Sequence, residues 1–133
     1  MNGKDETLAD LIPDQEIHTL SSFKLESGIS LTQLPIAYKT WGTLDPISKD
    51  NVLIICHALS GSSDVQDWWE PLLGPGKAFD TSCYFVFCGN VLGSPYGSGS
   101  PLTLNPLTGR SYGPEFPQTT IRDDVRCGIH YYK

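Results

Sequence analysis

Residues 51–69 read NVLIICHALSGSSDVQDWW, and the fold turns on how this stretch is taken. Val52 to Cys56 is an unbroken apolar run without polar alternation. Both faces of the strand it forms are therefore expected to be covered, as inside a largely parallel sheet. The run stops at His57, and the small residues Ala58, Ser60 and Gly61 follow. A second run of the same kind, Tyr84 to Cys88, ends in Gly89 and Asn90. The roughly 27 residues between the two runs are too many for a hairpin and suit the crossover that parallel strands require. Proline and glycine within Glu70–Gly76 argue against a long regular helix in that crossover.

Upstream the pattern is antiparallel. FKLESGISL (23–31) alternates on either side of Glu26-Ser27-Gly28, a hairpin signal with glycine at the turn. IAYKTWGTL (36–44) predicts a third, half-buried strand that ends at Gly42 and the turn DPISKD. The fold class is thus α/β, a mixed sheet with an antiparallel edge. Residues 1–20 are charged and weakly periodic and are expected to form a mobile leader, with the folded part spanning 21–133. Gly93 to Pro117 has loop composition. Its interleaved Leu102, Leu104, Tyr112 and Phe116 predict an ordered loop packed on the sheet. Thr120 and Asp123 have capping-box spacing, so a helix begins there. Its apolar residues Ile121, Val125 and Ile129 share one face, while Arg122, Asp124 and Arg126 look outward or reach to neighbouring loops.

At 133 residues the chain has the length of one domain. A net charge of −6 and the lack of any basic run exclude a phosphate-neutralising nucleic-acid binder. No apolar stretch approaches the ~20 residues needed to span a bilayer. The first sixteen residues lack the pattern of a secretion signal, so a cytoplasmic location is expected. Cys56, Cys83, Cys88 and Cys127 are scattered and form no C-x-x-C pair, which favours buried reduced thiols over a zinc site; no metal is expected.

The chemistry-bearing feature is the strand end that runs into His57-Ala58-Leu59-Ser60-Gly61. A tight turn of small residues lets peptide N–H groups aim at a developing oxyanion, and Ser60 and Gly61 meet that need. His57 is either a general base or a structural histidine bonded to backbone, and the second use is the commoner one. No G-x-S-x-G nucleophile elbow is present, and GSPYGSGS (93–100) lacks the lysine of a phosphate loop. Trp68 and Trp69 are adjacent and cannot share a face, so one packs inward and the other lies at a surface.

Four stretches together carry a family resemblance: LPIAYKTWGTL, DNVLIICHALSGSSDVQDWW, GPGKAFDTSCYFVFCGNVLGSPYGSGSP and YGPEFPQTTIRDDVR. Spanning about Leu34 to Arg126, they resemble the N-terminal portion of the homoserine O-acetyltransferase family, fungal type, within the α/β-hydrolase superfamily. The resemblance implies transfer of an acetyl group from acetyl-CoA, a co-substrate rather than a bound cofactor, to the hydroxyl of homoserine for methionine synthesis. It implies a serine nucleophile with a His base and an orienting Asp. It makes the backbone N–H of Leu59 the oxyanion donor and sets Ser60 where the family more often has threonine beside the substrate, with Gly61 lining the same site. It also leaves a homodimer open.

The family's nucleophile elbow, and the Asp and His that follow it, have no counterpart in these residues. CGIHYYK (127–133) also departs from the apolar helical continuation of the family. The expectation is an incomplete α/β-hydrolase fold, truncated before the elbow and inactive alone. Two alternatives stand beside it. One is an acyltransferase acting on serine or deacetylcephalosporin C, or using succinyl-CoA. The other is a non-catalytic chain that associates with other chains through an open sheet edge.

Overall fold

A computed structural model of the chain describes residues 7–130. Four strands form the main sheet: β1 (Glu16–Lys24), β2 (Ser30–Trp41), β3 (Val52–Ile54) and β4 (Phe85–Gly89), in the order β1-β2-β4-β3. β1 and β2 are antiparallel, β2 and β4 are antiparallel, and β3 and β4 are parallel. The expected mixed sheet with an antiparallel edge is thus present. A two-stranded ribbon, β5 (Leu104–Asn105) with β6 (Arg110–Ser111), lies within the long loop. Between β3 and β4 runs the short helix α1 (Val65–Trp69), followed by a 3-10 turn. Helix α2 (Ile121–Ile129) comes last.

Local chemistry accounts for these elements. Gly28, with φ +88°, makes the β1–β2 turn, closed by the Leu25 and Ile29 backbones. At Gly42, φ is +78° and an added Cβ would collide with the carbonyls of Tyr84 and Thr81, so only glycine lets β2 end against the entry to β4. Thr120 caps α2: its side chain accepts from the Asp123 N–H while the Asp123 carboxylate accepts from the Thr120 N–H. Pro71 and the glycines after it hold the crossover to five helical residues and one 3-10 turn, as their composition predicted.

Two hydrophobic clusters hold the sheet. One joins Phe23, Leu25, Leu31, Leu34 and Ile36 of the hairpin to Leu92 and Cys127, with Tyr112 and Phe116 packed on it. The other joins Val86 and Cys88 of β4 to Ile55, Val65 and Leu73, with Trp41 and Trp68 alongside. Each fully buried aliphatic side chain contributes about 1.5–3 kcal/mol. Trp68 packs inward while Trp69 is exposed, the division expected of an adjacent pair.

Several expectations are corrected. The sheet begins at Glu16, inside the segment read as a leader, because residues 16–20 pair with 34–38 of β2. A 3-10 turn at Leu8–Leu11 precedes it, and residues 1–6 lie outside the described residues. The hairpin's second strand and the expected third strand are one twelve-residue strand, β2. β3 is not covered on both faces: it stands at the sheet edge with Ile54 61% exposed, because among the described residues nothing packs beyond it. In the long loop Tyr112 and Phe116 pack as expected, but Leu102 and Leu104 are exposed. Most telling is α2, whose buried residues are Asp123 and Cys127 while Ile121, Val125 and Ile129 face outward. At 100° per residue those sets lie on opposite sides, and the bonds Asp123 makes to the hairpin turn decide which side goes in.

No disulfide forms among the four cysteines. Cys88 and Cys127 are buried as expected, whereas Cys56 and Cys83 are exposed. Burial pushes the Cys88 and Cys127 thiols up to about 12. Iodoacetamide at neutral pH should therefore modify Cys56 and Cys83 first, and Cys88 and Cys127 only on denaturation, as read by peptide mass spectrometry. Equal labelling of all four in the native chain would contradict this packing.

Candidate active site

β3 and β4 run parallel, so the loops leaving them emerge at the same end of the sheet, where open α/β sheets bind ligands. Those loops carry the predicted turn (55–64) and the Gly/Ser-rich segment (90–100). Ala58–Gly61 is a β-turn closed by a 2.8 Å bond from the Gly61 N–H to the Ala58 carbonyl. Leu59 and Ser60 are its central residues. Their N–H groups bond to nothing among the described residues, and the Leu59 side chain is 98% exposed. Gly61 keeps this turn uncrowded: a Cβ there would sit 3.1 Å from the Ala58 carbonyl oxygen and 3.4 Å from His57 Nδ1, a tight contact.

His57 is buried and both ring nitrogens are engaged. Nε2 accepts from the Val91 N–H at 3.1 Å, and Nδ1 lies 2.7 Å from the Ala58 carbonyl oxygen. It is thus the backbone-bonded histidine rather than a base with a free ring nitrogen. One position further on, the Leu92 N–H donates to Asp124 at 2.8 Å. Burial raises the Asp124 carboxyl above the usual range, with the Leu92 bond acting against it.

The rest of the turn is tied down by polar groups. Lys39 of β2 and Asp64, just before α1, form a buried ion pair at 3.0 Å, with side chains 6% and 8% exposed. Gln15 accepts from the Ser63 hydroxyl and donates to the Tyr96 carbonyl, so one side chain bridges both loops. Ser98 accepts from the Ala37 N–H and donates to the Asn90 carbonyl, and Gly99 donates to the Pro35 carbonyl. The glycine-rich segment is therefore an ordered strap on β2. At Gly99 an added Cβ would collide with Leu34, which explains the small residues there.

Leu59, Ser60 and Gly61 lie side by side in the turn that follows β3. Sequence reasoning misses Val91 and Lys39–Asp64; Asp124 does reach a neighbouring loop, through its bond from the Leu92 N–H. Period-2 alternation puts Lys39 on the same face as Ala37 and Trp41, so a lysine at an inward position was the available signal. Among the described residues no group of three His, Cys, Asp or Glu side chains could hold a metal ion. Nor is any helix among them long and apolar enough to cross a membrane.

This sheet and turn define an α/β-hydrolase-type fold. Esterase E22 superposes with a TM-score of 0.80 at 30% identity, over 89% of this chain and 36% of that one. The homoserine O-acetyltransferase from Bacillus anthracis superposes with a TM-score of 0.79 at 33% identity, over 88% and 35%. No family model matches the chain. Among curated relatives, the homoserine O-acetyltransferase of Ascobolus immersus is 61% identical over 118 residues, 89% of this chain and 23% of that protein. That of Saccharomyces cerevisiae is 59% identical over 120 residues, 90% and 24%. Over about nine-tenths of its own length the chain is similar to homoserine O-acetyltransferases, and it spans about a quarter of the length of the relatives it matches.

The Lys39–Asp64 pair makes the anchoring of this site measurable. Removing one partner leaves a buried charge unpaired, so Asp64→Ala or Lys39→Met should each cost about 3–5 kcal/mol in urea unfolding. The double variant Lys39→Met/Asp64→Leu should cost much less than the sum. Additive losses would show that the two side chains do not depend on each other.

Proposed function

We propose that this chain supplies the oxyanion side of an acetyl-CoA-dependent homoserine O-acetyltransferase, with Leu59 N–H as donor and with Ser60 and Gly61 lining the substrate site. One observation carries it: an amide with no partner among the described residues, in the turn after β3, whose other side is pinned by His57. Relatives named homoserine O-acetyltransferase, at 56–62% identity, support the substrate pair. By resemblance the serine nucleophile, its His base and the orienting Asp are residues that these 133 do not contain. The serine hydroxyl then attacks the acetyl-CoA thioester, its proton passing through the histidine to the departing CoA thiol. The homoserine hydroxyl attacks the resulting acyl ester, its proton returning through the histidine to the freed serine. At each step the Leu59 N–H binds the oxyanion of the tetrahedral intermediate. A cytoplasmic location fits a biosynthetic acyl transfer.

A second reading has its own support. Ile54, Ile121, Val125 and Ile129 are exposed, and the outer edge of β3 is unpaired among the described residues. Such surfaces favour association with further protein, a second copy of the chain included.

The donor role can be tested where the 120-residue matching segment of the Saccharomyces cerevisiae enzyme is replaced by this chain's. The graft should acetylate homoserine. Leu59→Pro, which deletes the N–H at the turn position proline tolerates best, should lower kcat about 10²–10³-fold with KM little changed. A fully active Leu59→Pro graft would remove the proposal. The 133-residue chain alone should show no acetyl-CoA-dependent acetylation and should elute as an assembly in size exclusion. Turnover by a compact monomer would overturn both readings.

A further inference from the structure

The Val91 N–H can donate to His57 Nε2 only if that nitrogen carries no proton. The ring proton then sits on Nδ1, where it donates to the Ala58 carbonyl. The same carbonyl also accepts from the Gly61 N–H, so its direction is set by two donors. Ala58 C=O and Leu59 N–H belong to one peptide unit, and no peptide bond among the described residues is cis. In a trans peptide these groups point in opposite directions. Holding the carbonyl toward the His57 ring therefore aims the Leu59 N–H away from it.

The geometry points to His57 as a positioning residue for acyl transfer: its Nδ1–H tautomer, selected by the Val91 N–H, orients the Ala58–Leu59 peptide so that the Leu59 amide faces the reacting oxygen. The inference rests on the oxyanion role proposed above and deepens it. The chain of bonds extends to α2. Asp124 accepts from the Leu92 N–H, which fixes the backbone next to Val91, and Thr120 and Asp123 anchor the start of that helix. Asp123 is fully buried and accepts from the Glu26 N–H of the β1–β2 turn, so the helix is seated against the hairpin. A preorganised donor needs no reorientation as charge develops, and misaiming it weakens transition-state binding without weakening substrate binding. His57 touches no substrate in this role; it acts through one peptide plane.

Two substitutions separate positioning from mere support. His57→Asn places an amide N–H close to the Nδ1 position and can still donate to the Ala58 carbonyl. His57→Gln places its amide near Nε2, keeps a partner for Val91 and loses the donor to Ala58. In the grafted enzyme, His57→Gln is expected to lower kcat about 100-fold with KM for acetyl-CoA unchanged, and His57→Asn to stay within about tenfold of wild type. Equal losses in the two variants, or a Gln variant as active as wild type, would overturn the inference. Thermal melting followed by circular dichroism shows whether any loss is one of folding.

Should the variants not fold, the unsubstituted graft labelled with ¹⁵N-histidine still decides the matter. A His57 proton on Nδ1 supports the inference and one on Nε2 ends it. Hydrolysis of p-nitrophenyl acetate separates this inference from the acceptor reading. If the graft cleaves the ester with the same Asn-over-Gln order but does not acetylate homoserine, the positioning role stands and the homoserine reading falls.

Discussion

The parallel pairing of β3 with β4 is the constraint on which the rest depends. Val52, Leu53 and Ile54 lie opposite Phe85, Val86 and Phe87, and the Ile55 N–H continues the ladder to the Phe87 carbonyl. Three residues are enough because the direction matters more than the length. A parallel pair sends both chains out at the same end, so the turn after β3 and the strap after β4 become neighbours. His57 reaches Val91 across that gap, and Gln15 bridges Ser63 and Tyr96. An antiparallel pairing would place the two loops at opposite ends of the sheet and dissolve the site.

Buried polar groups, more than apolar packing, hold the loops in place. Lys39 and Asp64 neutralise each other under the turn, and Asp123 takes its donors from the hairpin and from the cap of its own helix. Each is satisfied, which is the condition for a buried polar network to specify one arrangement rather than cost stability. Such bonds are directional where apolar contacts are not. Small residues make them reachable: Gly61 lets the Ala58 carbonyl and the His57 ring close up, and Gly99 lets the strap lie on Leu34. The indole N–H of Trp68 is buried without a partner, the one such side-chain atom among the described residues.

The outward apolar face of α2 and the open edge of β3 follow from the same logic. A helix buries the side that finds partners, and here the partners of Asp123 and Cys127 are the hairpin and its core cluster. Ile121, Val125 and Ile129 are left facing away, on a chain that covers about a quarter of its relatives' length. Apolar surface of that kind is where further protein packs.

Much of this was legible in the residues because it is local. The turn at Gly28, the cap at Thr120, the apolar run of β4 and the short crossover follow from dihedral preference and spacing within a few residues. The turn 58–61 was legible too, since small residues after an apolar run leave amides free. Which surfaces are covered was not legible. The unbroken run Val52–Cys56 says that a strand can be buried on both faces, but only the packing of the described residues leaves Ile54 exposed at the sheet edge. Periodicity likewise marks one face of α2 as apolar without saying which face meets the core. The sequence by itself determined the local turns, the helix cap, the apolar strand cores and the family resemblance. The tertiary structure decided the face α2 buries, the lysine under the loop and the histidine that aims the Leu59 amide. Those depend on contacts between residues far apart in the chain, whose geometry exists only once β3 and β4 have paired.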